Sequence, residues 1–220
     1  MNLLLVGYGR MGRLVEELAL AEGHAIAGRV DLGVEGWAPA DVAIDFSTAE
    51  ALQANFARYI ELRLPVVIGT TGWSDQAEQL RARAERARLG VVASANFSIG
   101  VNLFALMVAE AARLMGPHGQ YGAWIHEQHH AAKRDAPSGT ALHLRDTMGA
   151  AGFARPIDMS SVRAGMIPGT HTVGFDAASD TIELTHRARD RRAFARGALL
   201  AARWVQGREG WFSMADVLRA

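Results

Sequence analysis

A chain of 220 residues, half of them hydrophobic, can build one large domain or two modest ones with a proper core. Lys plus Arg (23) balance Asp plus Glu (23), so no overall field favours nucleic acid or an anionic membrane surface, and any anion site must be local. The absence of cysteine excludes disulfides and thiolate metal sites, and the short apolar run before Gly7 is neither a signal segment nor a span, so a cytoplasmic setting is expected.

Leu3-Leu4-Leu5-Val6 has the continuous apolar pattern of a strand covered on both faces. It runs into Gly7-Tyr8-Gly9-Arg10-Met11-Gly12 and a helix from about Arg10 to Glu22, then a strand over His24 to Val30 that ends at Asp31. Strand, G-x-G-x-x-G, helix, strand and an acid about twenty residues on form the dinucleotide fingerprint. The glycines allow backbone N–H groups to approach a pyrophosphate at the helix N-terminus, and Asp31 would accept from the adenosine ribose. The competing reading is a glycine-rich turn that only lets helix and strand pack closely. Asp31 is followed by Leu32 and not by a basic residue, so the expectation leans to NADH over NADPH, although Arg10 or Arg29 could reach a 2′-phosphate.

A third strand is expected over Asp41 to Phe46, with Ser47-x-x-Glu50 as a capping box opening a helix to about Glu61. Pro65 to Ile68, a helix from Ser74 or Asp75 to Arg88, and Val91 to Ala93 continue the alternation, which predicts a doubly wound parallel sheet. Ligands bind such sheets beyond the carboxyl ends of the strands. There lie Asp45-Phe46-Ser47, Gly69-Thr70-Thr71-Gly72 and Ser94-Ala95-Asn96-Phe97, where a nicotinamide ring is expected.

After a long apolar helix, roughly Gly100 to Met115, the alternation stops. Strand-like Tyr121 to His126, a helix from Thr140 to Met148, and short strands at Ser160 to Arg163, Thr170 to Phe175 and Thr181 to His186 suggest an open mixed sheet forming a substrate domain. Helix returns from about Arg191, Ala-rich and suited to packing on the first domain. The expected division is 1–98, completed by a C-terminal helix over 191–220, as the dinucleotide-binding domain, and 99–190 for substrate binding and oligomerisation.

The densest chemistry lies between His126 and Thr140. His126-Glu127-x-x-His130 matches a zinc-hydrolase motif, but that motif needs a helix, and the local pattern reads as strand running into loop. Extended residues four apart lie roughly 13 Å from each other. The longer zinc motif also fails, with Lys133 at its glycine position and Ala136 at its third histidine. The other reading is metal-free. His129 and His130 face opposite ways if extended, Lys133 offers a point charge to a carboxylate, and Pro137-Ser138-Gly139-Thr140 opens a helix whose N–H groups and hydroxyls suit a second carboxylate. That composite fits a small dicarboxylate beside an imidazole general acid. A solvated polar loop capped by Ser138 is the bland alternative.

The glycine fingerprint, Asp45-Phe46-Ser47, Gly69 to Gly72, Asn96 to Asn102 and, above all, Glu127-x-His129-His130-x-x-Lys133-x-Asp135-x-Pro137-Ser138-Gly139-Thr140-Ala141 resemble the dihydrodipicolinate reductase (4-hydroxy-tetrahydrodipicolinate reductase) family. The resemblance continues through Arg163-Ala164-Gly165, Gly169 to Val173 and His186 to Trp204. It implies an oxidoreductase of lysine and diaminopimelate synthesis in which His129 is the proton donor and Lys133 assists. It implies that His130, Ser138, Gly139 and Thr140 bind substrate. It also implies that Gly7 to Gly12, Asp31, Phe46, Gly69 to Thr71 and Ser94 to Phe97 hold NADH or NADPH, without a metal, in a homotetramer joined through the substrate domain. His126 drops out as structural. The chain departs from the family in its short segment between Asp31 and Asp41 and in Leu32, where many relatives are basic. Two rivals remain: a different Rossmann dehydrogenase for an amino or imino dicarboxylate, and a non-enzymatic dinucleotide-binding regulator.

Overall fold

The computed structural model describes residues 1–32 and 36–220. In chain order the first elements are β1 (Asn2–Val6), α1 (Arg10–Ala21), β2 (Ala25–Val30), β3 (Val42–Asp45), α2 (Ala49–Glu61), β4 (Val66–Ile68), a 3₁₀ turn (Ser74–Gln76), α3 (Ala77–Ala87) and β5 (Gly90–Ala93). There follow α4 (Ile99–Met115), β6 (Gly122–His129), α5 (Gly139–Ala150), β7 (Ile157–Arg163), β8 (Thr170–Asp176) and β9 (Thr181–Arg187). The chain closes with α6 (Arg192–Val205), β10 (Gly210–Phe212) and α7 (Met214–Arg219). Two compact units result: Met1–Ile99 with Arg192–Ala220, and Gly100–Arg191. Among the described residues no helix is long and apolar enough to cross a membrane.

The first unit is a Rossmann-type sheet in the order β10-β5-β4-β3-β1-β2, with parallel pairing throughout. β1 is central, and its side chains divide by the period of two: Leu3 and Leu5 enter a core with α1, α6 and α7, while Leu4 and Val6 enter one with α2 and α3. Burial on both faces is why the strand reads as an unbroken apolar run. Each such Leu or Val contributes about 1.5–3 kcal/mol by leaving water. The chain crosses from β2 on one side of β1 to β3 on the other, which creates the crevice between the ends of β1 and β3.

Two expectations need correction here. The N-cap of α2 is Thr48, whose hydroxyl accepts from the Ala51 N–H, and not Ser47. The N–H of Ser47 instead donates to Asp45 Oδ1, which pulls it into the strand end and moves the cap one residue on. The segment after 191 is not one helix. Gly207 and Gly210 take positive φ (71° and 125°), allowing the chain to turn out of α6 into the edge strand β10. Trp211 on β10 then stacks near Trp73 and Phe56, with centroids 6.0 and 6.3 Å away.

Small residues bring α6 close: Ala195, Ala198, Ala201 and Ala202 are fully buried. Gly197 has no room for a side chain, since a Cβ there would overlap the Phe97 carbonyl. Gly197→Ala is therefore expected to lose about 1–3 kcal/mol of stability through overpacking. Urea denaturation checks this, and a midpoint equal to wild type would contradict it.

The second unit is a mixed sheet, β7-β6-β8-β9, parallel between β6 and β7 and otherwise antiparallel. Its core combines Phe104 and Val108 of α4, Leu144 and Met148 of α5, and Ile125, Val173 and Phe175 of the sheet. β6 extends through His129 and does not end at His126. Its burial alternates, with Ala123, Ile125, Glu127 and His129 inward.

Candidate active site

In the first unit the fingerprint glycines have separate duties. Gly7 is left-handed (φ 81°), and a Cβ on it would collide with the Phe46–Ser47 backbone; one on Gly12 would meet the Gly7 carbonyl. These two let strand, turn and helix close up. Gly9, the uncapped N-cap of α1, faces open space, so the first-turn N–H groups of Arg10, Met11 and Gly12 stand beside a bare approach. That arrangement fits a pyrophosphate. Asp31 is exposed just past the end of β2, and its carboxylate accepts from the neighbouring Leu32 N–H at 3.0 Å.

Tyr8 is fixed: its hydroxyl donates to Glu16, and Arg13 and Arg29 lie over its ring at 5.7 and 5.5 Å. Arg29 also forms a two-pronged pair with Glu16. Hydrogen bonding to Glu16 pushes the Arg29 pKa up, and that from Arg29 holds the Glu16 carboxyl down against the effect of burial. Met11 packs at the edge of the core.

The loops beyond β3 and β4 are joined by a buried carboxylate. Asp45 accepts from Tyr59 Oη (2.7 Å), Thr70 Oγ1 (2.9 Å) and the Ser47 N–H (2.8 Å). Thr70 thus spends its hydroxyl on the scaffold, whereas Thr71 is exposed. Phe46 packs across Gly69, where any Cβ would strike its ring, and edge-on to Phe97 at 6.2 Å. Phe97 is itself buried in the core, leaving Ser94, Ala95 and Asn96 at the surface of that loop. Ser94 Oγ donates to the Asn96 carbonyl at 2.8 Å and fixes the turn.

In the second unit the site grows out of the strand pattern. With side chains alternating, Glu127 and His129 share the inward face of β6 while His126 and Gln128 lie on the other, where His126 bonds Ser160 Oγ (2.7 Å) and Gln128 (3.0 Å). His126 and His130 therefore lack the one-turn helical spacing that the zinc motif requires.

Glu127 is the hub. One of its oxygens holds His129 Nδ1, and Arg163 grips both oxygens, at 2.6 and 2.9 Å. The N–H of Ser138, which caps α5, donates to Glu127 Oε1 at 3.2 Å. Burial drives the Glu127 pKa up, but hydrogen bonds from Arg163, Ser161 and His129 outweigh it and bring the group to about 2. Burial lowers the His129 pKa, and Glu127 opposes that shift. With Nδ1 held by Glu127, Nε2 is the ring nitrogen turned away from that carboxylate. It lies against Gly169, where a Cβ would come within 3.0 Å of it.

His171 stacks edge-on to His129, centroids 5.1 Å apart, and shares a 3.0 Å hydrogen bond with Ser138 Oγ. Burial, then the neighbouring His129, lower its pKa to about 4, so it is neutral at pH 7. Glu127, His129 and His171 could place ligand atoms within 4.8 Å of one another, yet the guanidinium of Arg163 on both oxygens of Glu127 sets a positive charge against any cation there.

Lys133 pairs with both oxygens of Asp135, at 2.7 and 2.9 Å. Gly139 is exposed and Thr140 half-buried in the first turn of α5, but Ser138 is 2% exposed, with its hydroxyl capping the Ala141 N–H and bonding His171. His130 is half-buried just past the strand. Sequence reasoning did not single out Glu127, Arg163 or His171 as functional. A glutamate two residues before the candidate acid was the available signal, because β-alternation puts i and i+2 on one face.

Residues 100–218 match the family described as dihydrodipicolinate reductase, C-terminus, and residues 33–97 its N-terminus. A protein from Christiangramia forsetii named 4-hydroxy-tetrahydrodipicolinate reductase is 36% identical across 99% of this chain and 98% of its own length. One of the same name from Myxococcus xanthus is 42% identical over 82% of this chain and 73% of its own. A dipicolinate-bound dihydrodipicolinate reductase from a Paenisporosarcina species superposes with a TM-score of 0.83, covering 97% of each chain at 21% identity, and so shares the fold. By the match of both halves, and by identity above a third along nearly its entire length, this chain belongs to the dihydrodipicolinate reductase family.

Proposed function

We propose that the chain reduces 4-hydroxy-tetrahydrodipicolinate to tetrahydrodipicolinate in lysine and diaminopimelate biosynthesis, using NADH or NADPH, with Gly7 to Gly12, Asp31, Phe46, Gly69 to Thr71 and Ser94 to Phe97 forming the cofactor site. The observation that carries the reading is the buried Glu127–His129 pair, clamped by Arg163 and tied through Ser138 to the start of α5, with Lys133 on the intervening loop.

The nicotinamide, when bound, supplies a hydride. This chain's residues supply charge and a proton. Lys133 and the first-turn N–H groups of α5, including those of Gly139 and Thr140, neutralise substrate carboxylates. His129 donates from Nε2 to the ring carbon that hydride addition leaves electron-rich, while Glu127 keeps Nδ1–H in place and stabilises the imidazolium beforehand. Positive charge on Lys133 works against that imidazolium. His130 borders the same loop as a substrate contact.

NADH is favoured because Arg29, one of the cations near the ribose-binding acid, is engaged by Glu16 and Tyr8. A coupled assay with synthase product, following NADH and NADPH oxidation side by side, tests both points. Synthase-dependent oxidation is expected, with the higher kcat/KM for NADH. Binding of NADH without oxidation would favour the regulator reading, and oxidation with other imino dicarboxylates alone would favour a different dehydrogenase.

A homotetramer joined through the outward face of the second sheet is part of the proposal. That face presents Trp124, Val162 and the Thr172–Thr185 pair. A cytoplasmic setting is likewise proposed, since the pathway consumes soluble intermediates.

A further inference from the structure

Asp135 has no part in the chemistry above, yet its carboxylate holds the group assigned to the substrate. Both of its oxygens take the Lys133 ammonium. Its pKa is lowered first by that lysine, and the backbone N–H of Gly139 also favours its ionised form. Lysine and α5 N-terminus are the two anion-binding features assigned to the substrate. The loop is anchored independently of the side chain, because the Asp135 carbonyl accepts from Arg163 at 2.6 Å. The carboxylate, 58% exposed, can therefore rotate into water without moving the backbone, whereas Lys133 is only 23% exposed.

We propose that Asp135 is an internal stand-in for a substrate carboxylate, competing for Lys133 and the start of α5 and thereby setting substrate affinity. The inference rests on the assignment of Lys133 to substrate binding. Exposed ion pairs are weak, so the competitor leaves readily: displacement weakens binding by about two- to five-fold. In return, the Lys133 ammonium has a counter-charge before substrate arrives.

Pyridine-2,6-dicarboxylate (dipicolinate) binding by calorimetry, to the intact wild-type protein and three variants, tests this. Asp135→Asn keeps the shape and removes the charge; it is expected to bind the probe about two- to five-fold more tightly than wild type and to lower KM with the natural substrate. Asp135→Glu, which restores a carboxylate, is expected to return towards the wild-type affinity. Lys133→Ala is expected to lose most of the affinity. Unchanged or weaker binding by folded Asp135→Asn, with Lys133→Ala still impaired, overturns the competitor while leaving the substrate assignment standing. Wild-type affinity in Lys133→Ala overturns both.

Discussion

His129→Gln is expected to lower kcat about 10²- to 10⁴-fold, the range for loss of a positioned general acid, while KM changes little. Glutamine can reach towards Glu127 but cannot release a proton to carbon. The pH dependence gives a second readout. The acid must be protonated to act, so wild-type turnover falls as pH rises through the His129 pKa, which burial lowers and Glu127 raises. In the glutamine variant the alkaline limb assigned to this group should disappear. Steady-state kinetics from pH 5 to 9 (~pH range around an unperturbed imidazole) check both, and an unimpaired variant or an unchanged limb would remove His129 from the role of acid.

Arg163→Met is expected to destabilise the protein by about 3–5 kcal/mol, because it removes one partner of a buried ion pair and leaves the other. Glu127 is 1% exposed and depends on Arg163 for two hydrogen bonds. The sign with pH follows from the depressed carboxyl. Its stabilising contribution is full above its ordinary pKa of 4.5 and is lost as pH falls towards about 2. The gap between wild type and variant should therefore shrink over that interval in urea titrations. Activity should fall with stability, since the His129 Nδ1 partner is then free to move. A variant as stable as wild type at pH 7 would mean that the pair contributes nothing.

How much of this was legible in the sequence depends on what each segment buries. The first unit could be read because β1, β3, β4 and β5 are covered on both faces and carry unbroken apolar runs. β10 escaped notice: three residues, Gly-Trp-Phe, have no period to detect, and only the pairing to β5 makes them a strand. The second unit was legible in outline, since a substrate-domain sheet was expected from Tyr121 onward. The end of β6 was not, because Glu127, Gln128 and His129 are polar and polarity normally ends a strand. Here the inward face stays buried but changes from hydrocarbon to an ionic network, which propensity alone cannot register. For the same reason Arg163 and His171 lay within segments resembling the family without having a role. Their contact with Glu127 and His129 exists only once β7 and β8 are laid on either side of β6.

The placement of His129 by strand alternation makes the two halves of this site unequally tolerant of length change. One residue inserted or deleted within β6 on the N-terminal side of Glu127 would oppose the pairing that holds both Glu127 and His129 inward, and one between them would separate donor from partner outright. The segment 130–137 is turn and irregular chain, anchored at Ala131 and Asp135 by single hydrogen bonds. There a change of length would alter how tightly the proposed substrate is held, while the proposed acid keeps its partner.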